Sequence, residues 1–161
     1  MKTFTMTTLV VALSLLTASA AVAGDRVLEV LVVNMTPDAE VTDASRRCFQ
    51  HILRKIRDEY THTTRMGESA LLREIGRSDP REFMDWPSDA LEPLRRRQDP
   101  PWLDAVALVD CRPEARRVDV LVVSPARGMA RMRLRGVELD RARAQWIAER
   151  ILEHGWVGFT P

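Results

Sequence analysis

Hydrophobic residues along the chain follow two patterns, continuous apolar runs and runs with helical spacing. A nearly unbroken apolar run covers residues 26–34, which is typical of an interior strand covered on both faces. Residues 41–59 instead place apolar side chains three and four positions apart, and Thr42 or Asp43 is available to cap the first turn. These patterns predict a buried strand followed by an amphipathic helix with Cys48 on its buried side.

The middle of the chain is the hardest part to assign. Residues 60–66 have strand propensity and predict a short edge strand, and residues 69–75 predict a helix. Asp79 followed by Pro80 is typical of a helix start. Later prolines divide the stretch that ends at residues 100–102 into short helical turns and extended pieces. We therefore expect an irregular segment here and no domain linker.

The last third of the chain predicts an antiparallel meander of three strands and a closing helix. Residues 104–111 and 117–124 are apolar runs separated by a turn. Residues 129–135 alternate strictly, so that apolar side chains face inward and arginines face solvent. Apolar positions at helical spacing in residues 139–154 predict the final helix. The order β-α-(β)-α-β-β-β-α indicates an α/β (α+β) fold, a single mixed and mostly antiparallel sheet with helices packed on it.

The amino-terminal residues predict export. Lys2 precedes an apolar run at residues 9–16, and Ala21-Val22-Ala23 has the small-x-small pattern that signal peptidase cleaves. This run is too short to span a bilayer, and no cysteine stands at the cleavage point for a lipid anchor. We expect a signal peptide at residues 1–23 and a single periplasmic or secreted domain at residues 24–161 that does not span the membrane.

The charge balance argues against whole classes of partner. The chain has 24 Lys+Arg and 23 Asp+Glu, so removing Lys2 with the signal peptide leaves 24 − 1 = 23 against 23. A neutral balance argues against bulk electrostatic binding to nucleic acid or to an anionic membrane. The seven glycines form no phosphate-binding loop, and no spacing is typical of metal ligands. We therefore predict no cofactor and no metal.

Cys48 and Cys111 are the two cysteines of the chain. In an exported protein such a pair predicts a disulfide first, with two buried free thiols or one catalytic thiol as alternatives. His51 lies three positions after Cys48 on the predicted helix, where an imidazole can activate a thiolate. Cys48 belongs to the apolar stripe of that helix, however, so the disulfide is the preferred interpretation.

Three groups of side chains are candidates for binding. The first is an arginine row: Arg127, Arg131, Arg133 and Arg135. The second consists of tryptophans that an interface can use as anchors: Trp86, Trp102 and Trp156. The third consists of carboxylates near Trp86 that can bind or cleave sugar: Asp85, Asp89 and Glu92. Each group has a structural alternative. The arginines can belong to a solvated edge strand, the tryptophans can seal the ends of the sheet, and the carboxylates can cap short helices.

The turn after the first strand and the order of elements resemble a known family. The strand ends in an Asn34-x-Thr36 turn, and an Asp104-Ala105-Val106 strand later opens the meander. This order is similar to the envelope domains that include the amino-terminal domain of the translocation protein TolB, the curli secretion lipoprotein and the activator lipoproteins of penicillin-binding proteins. The resemblance implies a non-enzymatic partner-binding module. Several of those proteins are lipoproteins, this chain has no lipobox cysteine, and no functional residue is transferred.

Together these patterns predict an exported, disulfide-linked, non-catalytic binding or assembly accessory of the bacterial envelope, with an envelope protein as its partner. The alternative is a small periplasmic hydrolase that uses Cys48 with His51, or acidic residues near Trp86. A third class is a small-ligand carrier in which the irregular segment forms a lid over the sheet.

Overall fold

The order of helices and strands agrees with the predicted order. A computed structural model describes residues 27–57, 61–80, 82–96, 103–112, 117–138 and 140–155. The strands are β1 (Leu28–Asn34), β2 (Thr61–Gly67), β3 (Ala105–Arg112), β4 (Arg117–Ser124) and β5 (Ala130–Glu138). The α-helices are α1 (Asp43–Ile56), α2 (Glu68–Ile75) and α3 (Arg141–Gly155). The predicted signal peptide, Trp102 and Trp156 lie outside the described residues.

The five strands form one mixed sheet in the order β2-β1-β3-β4-β5. β1 lies between β2 and β3 and is parallel to both, whereas β3, β4 and β5 form the predicted antiparallel meander. Two of the four strand pairs are thus parallel and two antiparallel. The parallel pairs arise because the connections after β1 and β2 contain helices and are long enough to cross the sheet.

Each face of the sheet is covered by its own layer. Val30 and Val32 of β1 face one core, to which α1 and α3 contribute. Leu31 and Val33 face the other core, which α2 and the irregular segment cover. Because successive side chains of a strand point to opposite faces, the continuous apolar run of β1 fits a strand buried on both sides. We call these two sides the α1 face and the α2 face.

Helix α1 begins at a capping box. The Thr42 hydroxyl accepts a hydrogen bond from the Ser45 backbone N–H at 3.2 Å, and the Ser45 hydroxyl accepts one from the Thr42 N–H at 2.9 Å. These two bonds satisfy donors that a helix start leaves free. The helix buries a stripe against the sheet: Ser45, Phe49, Ile52, Leu53 and Ile56. Its start therefore agrees with the predicted Thr42 cap.

A disulfide joins Cys48 of α1 to Cys111 of β3, with a Cα–Cα distance of 6.2 Å. This distance lies in the expected range of about 4.4–6.8 Å. The bond fixes the middle of α1 to the carboxyl end of β3. Because the Cys48 sulfur is bonded, it is not a free thiolate next to His51.

The segment between α2 and β3 contains no α-helix among its described residues. The expected helix start at Asp79 and Pro80 is wrong, because only a single 3₁₀ turn follows at Phe83–Asp85. Pro87 disfavours helical geometry at the preceding residue, and Trp86 is accordingly extended with φ −56° and ψ 139°. A second 3₁₀ stretch at Ser88–Arg96 continues the segment. Its apolar side chains complete the core on the α2 face.

Candidate functional site

Arginines alternate along β5 as predicted, and they also contact residues 84–86: Arg131 is partly buried, whereas Arg133 and Arg135 are exposed. Arg133 Nε donates a hydrogen bond to the main-chain oxygen of Met84 at 2.7 Å. Arg131 donates to the main-chain oxygen of Trp86, and Arg135 pairs with the carboxylate of Asp85. The row therefore holds residues 83–86 against the edge of the sheet. We call this arrangement of Arg131, Arg133 and Arg135 against residues 83–86 the bracket. In it the arginines supply donors to carbonyl groups of the irregular segment.

Arg131 is the most deeply placed member of the row. Burial, and then the nearby positive charge of Arg133, lower the pKa of Arg131. Its Nε atom is buried without a hydrogen-bond partner in the part of the chain that the structure describes. Arg127 lies apart from this bracket, is exposed, and donates to the main-chain oxygen of His154 at 3.4 Å.

Trp86 is not an exposed anchor. Its side chain is 3% exposed and belongs to the core of the α2 face. Phe83 packs edge-on against its ring at a centroid distance of 6.5 Å, and the guanidinium of Arg77 lies 5.3 Å from the ring centre. Of the two interpretations of Trp86, an exposed anchor or a side chain that seals the sheet, its burial supports the second, because the indole packs between the sheet and the irregular segment.

The carboxylates near Trp86 point to different partners. Asp85 pairs with Arg135 of β5, and Glu92 pairs with Arg95 at 2.9 Å. Asp89 instead lines an open cleft of about 530 Å³ beside Trp86. These three groups do not converge on one point, so the acid–base pair that a glycosidase requires is not formed by them.

A different site lies where β1 and β2 end side by side. Asn34 is in register with Gly67 at the carboxyl ends of these parallel strands. After β1 the chain continues into α1 on one face, and after β2 it continues into α2 on the opposite face. The site rests on the crevice found there and not on a reversal of strand order, because in the order β2-β1-β3 that reversal lies between β1 and β3.

The crevice has a volume of about 370 Å³. Its lining residues come from β1, the start of α1 and the end of β2: Asn34, Val41, Arg46, Phe49, Gln50, Arg65, Met66 and Gly67. Within this lining the charged side chains are the two arginines, and the other polar side chains are amides. The described lining therefore carries positive charge, which Asp43 beside Arg46 offsets in part. Among the described lining residues, none is a nucleophile or a side chain that commonly acts as a general base.

The two arginines differ in how strongly they are held. Arg46 lies 3.2 Å from Asp43, and both side chains are mostly exposed, so the pair contributes little. Arg65 lies on the exposed strand β2 and forms no ion pair with any described residue. Both guanidinium groups are thus able to turn toward an anion. The amino-terminal half of α1 adds the positive end of its dipole.

A network behind the crevice fixes the turn that follows β1. The Asn34 side-chain oxygen accepts from the Thr36 N–H at 3.2 Å, and the Thr36 hydroxyl donates to Asp110 at 3.1 Å. The Cys111 N–H donates to the Thr36 hydroxyl at 3.3 Å, and Arg112 pairs with Asp110 at 2.8 Å. The Asn-x-Thr pattern therefore has a structural role, because it orients the Asn34 amide at the crevice.

Glu68 follows the crevice residue Gly67 and opens α2. Its side chain is buried, and this burial raises the pKa of the carboxyl. The negative charge of Asp38 raises it further, while a hydrogen bond with Ser69 opposes the change. Ionisation of this carboxyl is therefore disfavoured next to the crevice.

Comparison with protein-family models, with curated proteins and with solved structures finds no match for this chain. The resemblance to the TolB type of envelope domain therefore stays a prediction from the order of elements. Among the described residues, no three His, Cys, Asp or Glu side chains are grouped to hold a metal ion. No helix in the described ranges is both long enough and apolar enough to cross a membrane.

The crevice was not predictable from residue patterns, because its residues are far apart in the chain and, apart from Asn34 of the Asn-x-Thr turn, none belongs to a motif. Arg46 and Arg65 lie in different predicted elements, and no periodic pattern in the sequence relates them. The signal that bears on it is the order strand, helix, strand at residues 28–67, which permits two parallel strands whose carboxyl ends lie side by side.

Proposed function

We propose that this protein is an exported, non-catalytic binding module of the bacterial envelope, and that it binds its partner at the crevice between β1 and β2. The observation that carries this proposal is the lining of the crevice. Two arginines and two amides are arranged around apolar contacts from Phe49 and Met66, without a nucleophile or a general base. Such a lining recognises a group and does not transform it.

The hydrolase interpretation has less support. The Cys48 sulfur is committed to the disulfide, and Asp85, Asp89 and Glu92 diverge. Trp86 is covered by Arg77, so its ring is not a free platform for a sugar. The carrier interpretation requires a lid, whereas the irregular segment contributes buried side chains to the core.

The proposal is tested by photo-crosslinking in living cells. A benzoylphenylalanine at Gln50 lies in the crevice, and the same residue at Arg54 lies on the exposed side of α1. We expect covalent adducts with an envelope component from Gln50 and not from Arg54, and we expect Arg65→Ala to reduce them. Equal adducts at both positions would contradict binding at the crevice. Mass spectrometry of the exported product should also give an amino terminus at Gly24, and an intact Met1 would contradict export.

A further inference from the structure

The charge of the crevice restricts the chemical class of its ligand. Arg46 and Arg65 approach from α1 and β2; the described lining contains no carboxylate, and the exposed Asp43 that pairs with Arg46 lies outside it. A planar guanidinium binds a carboxylate through two parallel hydrogen bonds, and this geometry is stronger than that of a neutral pair. The ligand group that these arginines fit is therefore an anion that accepts two parallel hydrogen bonds, such as a carboxylate.

The remaining lining fits a short piece of polypeptide. Asn34 and Gln50 offer amide groups to a peptide backbone, and Val41, Phe49 and Met66 offer apolar contact to one side chain. The volume of about 370 Å³ lies at the small end of the range for ligand pockets, about 300–1,000 Å³. This space accommodates the last residue or two of a chain and not a whole folded surface.

The strand beside the crevice is a sheet edge. β2 pairs with β1 on one side and, among the described strands, is the last one of the sheet. None of its seven residues is fully buried, and it contains neither proline nor lysine. The opposite edge is protected differently, since β5 carries Arg131, Arg133 and Arg135, and a bulge between Val118 and Val120 of β4 disturbs its register.

Strand direction connects the edge to the crevice. β2 runs toward Arg65 and Gly67, where the crevice opens. A peptide that adds in parallel beside β2 therefore delivers its carboxyl terminus next to Arg65. Resting on the proposed function, we propose that the crevice binds the C-terminal carboxylate of an extended partner segment, which adds to the sheet as a sixth strand beside β2.

The test uses the full exported protein and a fluorescein-labelled positional library of pentapeptides, each pool made once with a free carboxylate and once as the carboxamide. Fluorescence polarisation measures both forms. We expect the best carboxylate pool to bind about tenfold tighter than its carboxamide. Arg65→Ala should remove most of the preference for the carboxylate. Arg65→Lys should keep part of it, because lysine retains the positive charge but cannot donate two parallel hydrogen bonds. Arg47→Ala is the matched control, since Arg47 is exposed on α1 outside the crevice lining.

Hydrogen exchange supplies a second readout. The bound peptide should slow exchange at the β2 amides that face away from β1, and the carboxamide should protect them less. Equal binding of carboxylate and carboxamide, or an unchanged preference in Arg65→Ala, would overturn this inference. Absence of binding by every pool would overturn it as well. If crosslinks from Gln50 persist in those cases, the proposed function stands without it; if they are also absent, both fail.

Discussion

Removal of the disulfide is the change whose effect is best determined by the structure. The bond between Cys48 and Cys111 closes a loop with a sequence separation of 63 residues. In the chain-entropy model, a loop of this length lowers the entropy of the unfolded chain enough to stabilise the protein by roughly 4 kcal/mol. For a domain of about 140 residues, losing this stabilisation corresponds to a decrease of about 14 °C in Tm.

The assay is urea unfolding followed by circular dichroism. The double variant Cys48→Ala/Cys111→Ala is compared with the oxidised protein and with the wild type after reduction. Cys111 is 1% exposed, so the alanine variant also loses core contacts, whereas the reduced protein keeps both sulfur atoms. Agreement between the two within about 1 kcal/mol would assign the effect to loop closure. If reduction costs less than about 1 kcal/mol, the entropic reasoning is refuted for this protein.

Three further changes test the packing and the charges. Arg133→Ala removes a donor to a main-chain oxygen of residues 83–86, and it should cost about 1–2 kcal/mol by thermal unfolding, whereas exposed Arg127→Ala should stay within about 0.5 kcal/mol. The pKa of Glu68 in the folded protein is raised above the ordinary 4.5, so the fold loses stability as pH rises from 4.5 and this carboxyl ionises. Glu68→Gln cannot ionise, and in urea titrations it should be more stable than wild type at pH 7 and equal to it below pH 4. A Cβ at Gly155 would lie 2.9 Å from the Cβ of Ala105, so Gly155→Ala should lower Tm although alanine normally favours helices. An unchanged Arg133→Ala, a pH-independent Glu68→Gln or a stabilised Gly155→Ala would contradict these arguments.

The elements with strong periodicity were predictable from the sequence. The apolar run of β1 and the amphipathic stripe of α1 each satisfy one pattern, and the structure places them within a few residues of the expected bounds. The segment with Pro87 and Pro93 carries no such period, and its true order is set by how Trp86 fits against the sheet. Local propensity did not contain that information, because the partner surface lies on strands distant in sequence.

The candidate site was beyond sequence reasoning for a related reason. Alternation correctly places the arginines of β5 on one face, but it does not show that Met84 and Trp86 present carbonyl groups to that face. Likewise, no local pattern brings Arg46 and Arg65 to one crevice. That arrangement depends on β2 lying parallel to β1, which is a property of the chain path and not of any short segment.

The disulfide and the crevice share one helix, and this leads to a last prediction. Cys48 lies between Arg46 and the crevice residues Phe49 and Gln50, so the bond to β3 fixes the helix turn that supplies half of the lining. Reduction should leave the sheet folded below its new Tm but allow this turn more freedom. Ordering a looser turn costs binding free energy. The reduced protein should therefore bind the carboxylate pentapeptides more weakly, with the change mainly in dissociation rate.

The control separates this effect from partial unfolding. Arg133→Ala destabilises the opposite end of the sheet without touching α1, so a sample of it matched in unfolded fraction should retain peptide affinity. If both proteins lose affinity equally, the loss reflects general stability and the disulfide does not organise the crevice. If reduction weakens binding and Arg133→Ala does not, the disulfide acts on the lining itself. The two samples have the same unfolded fraction, so the difference in affinity then comes from the part of the fold that each change destabilises.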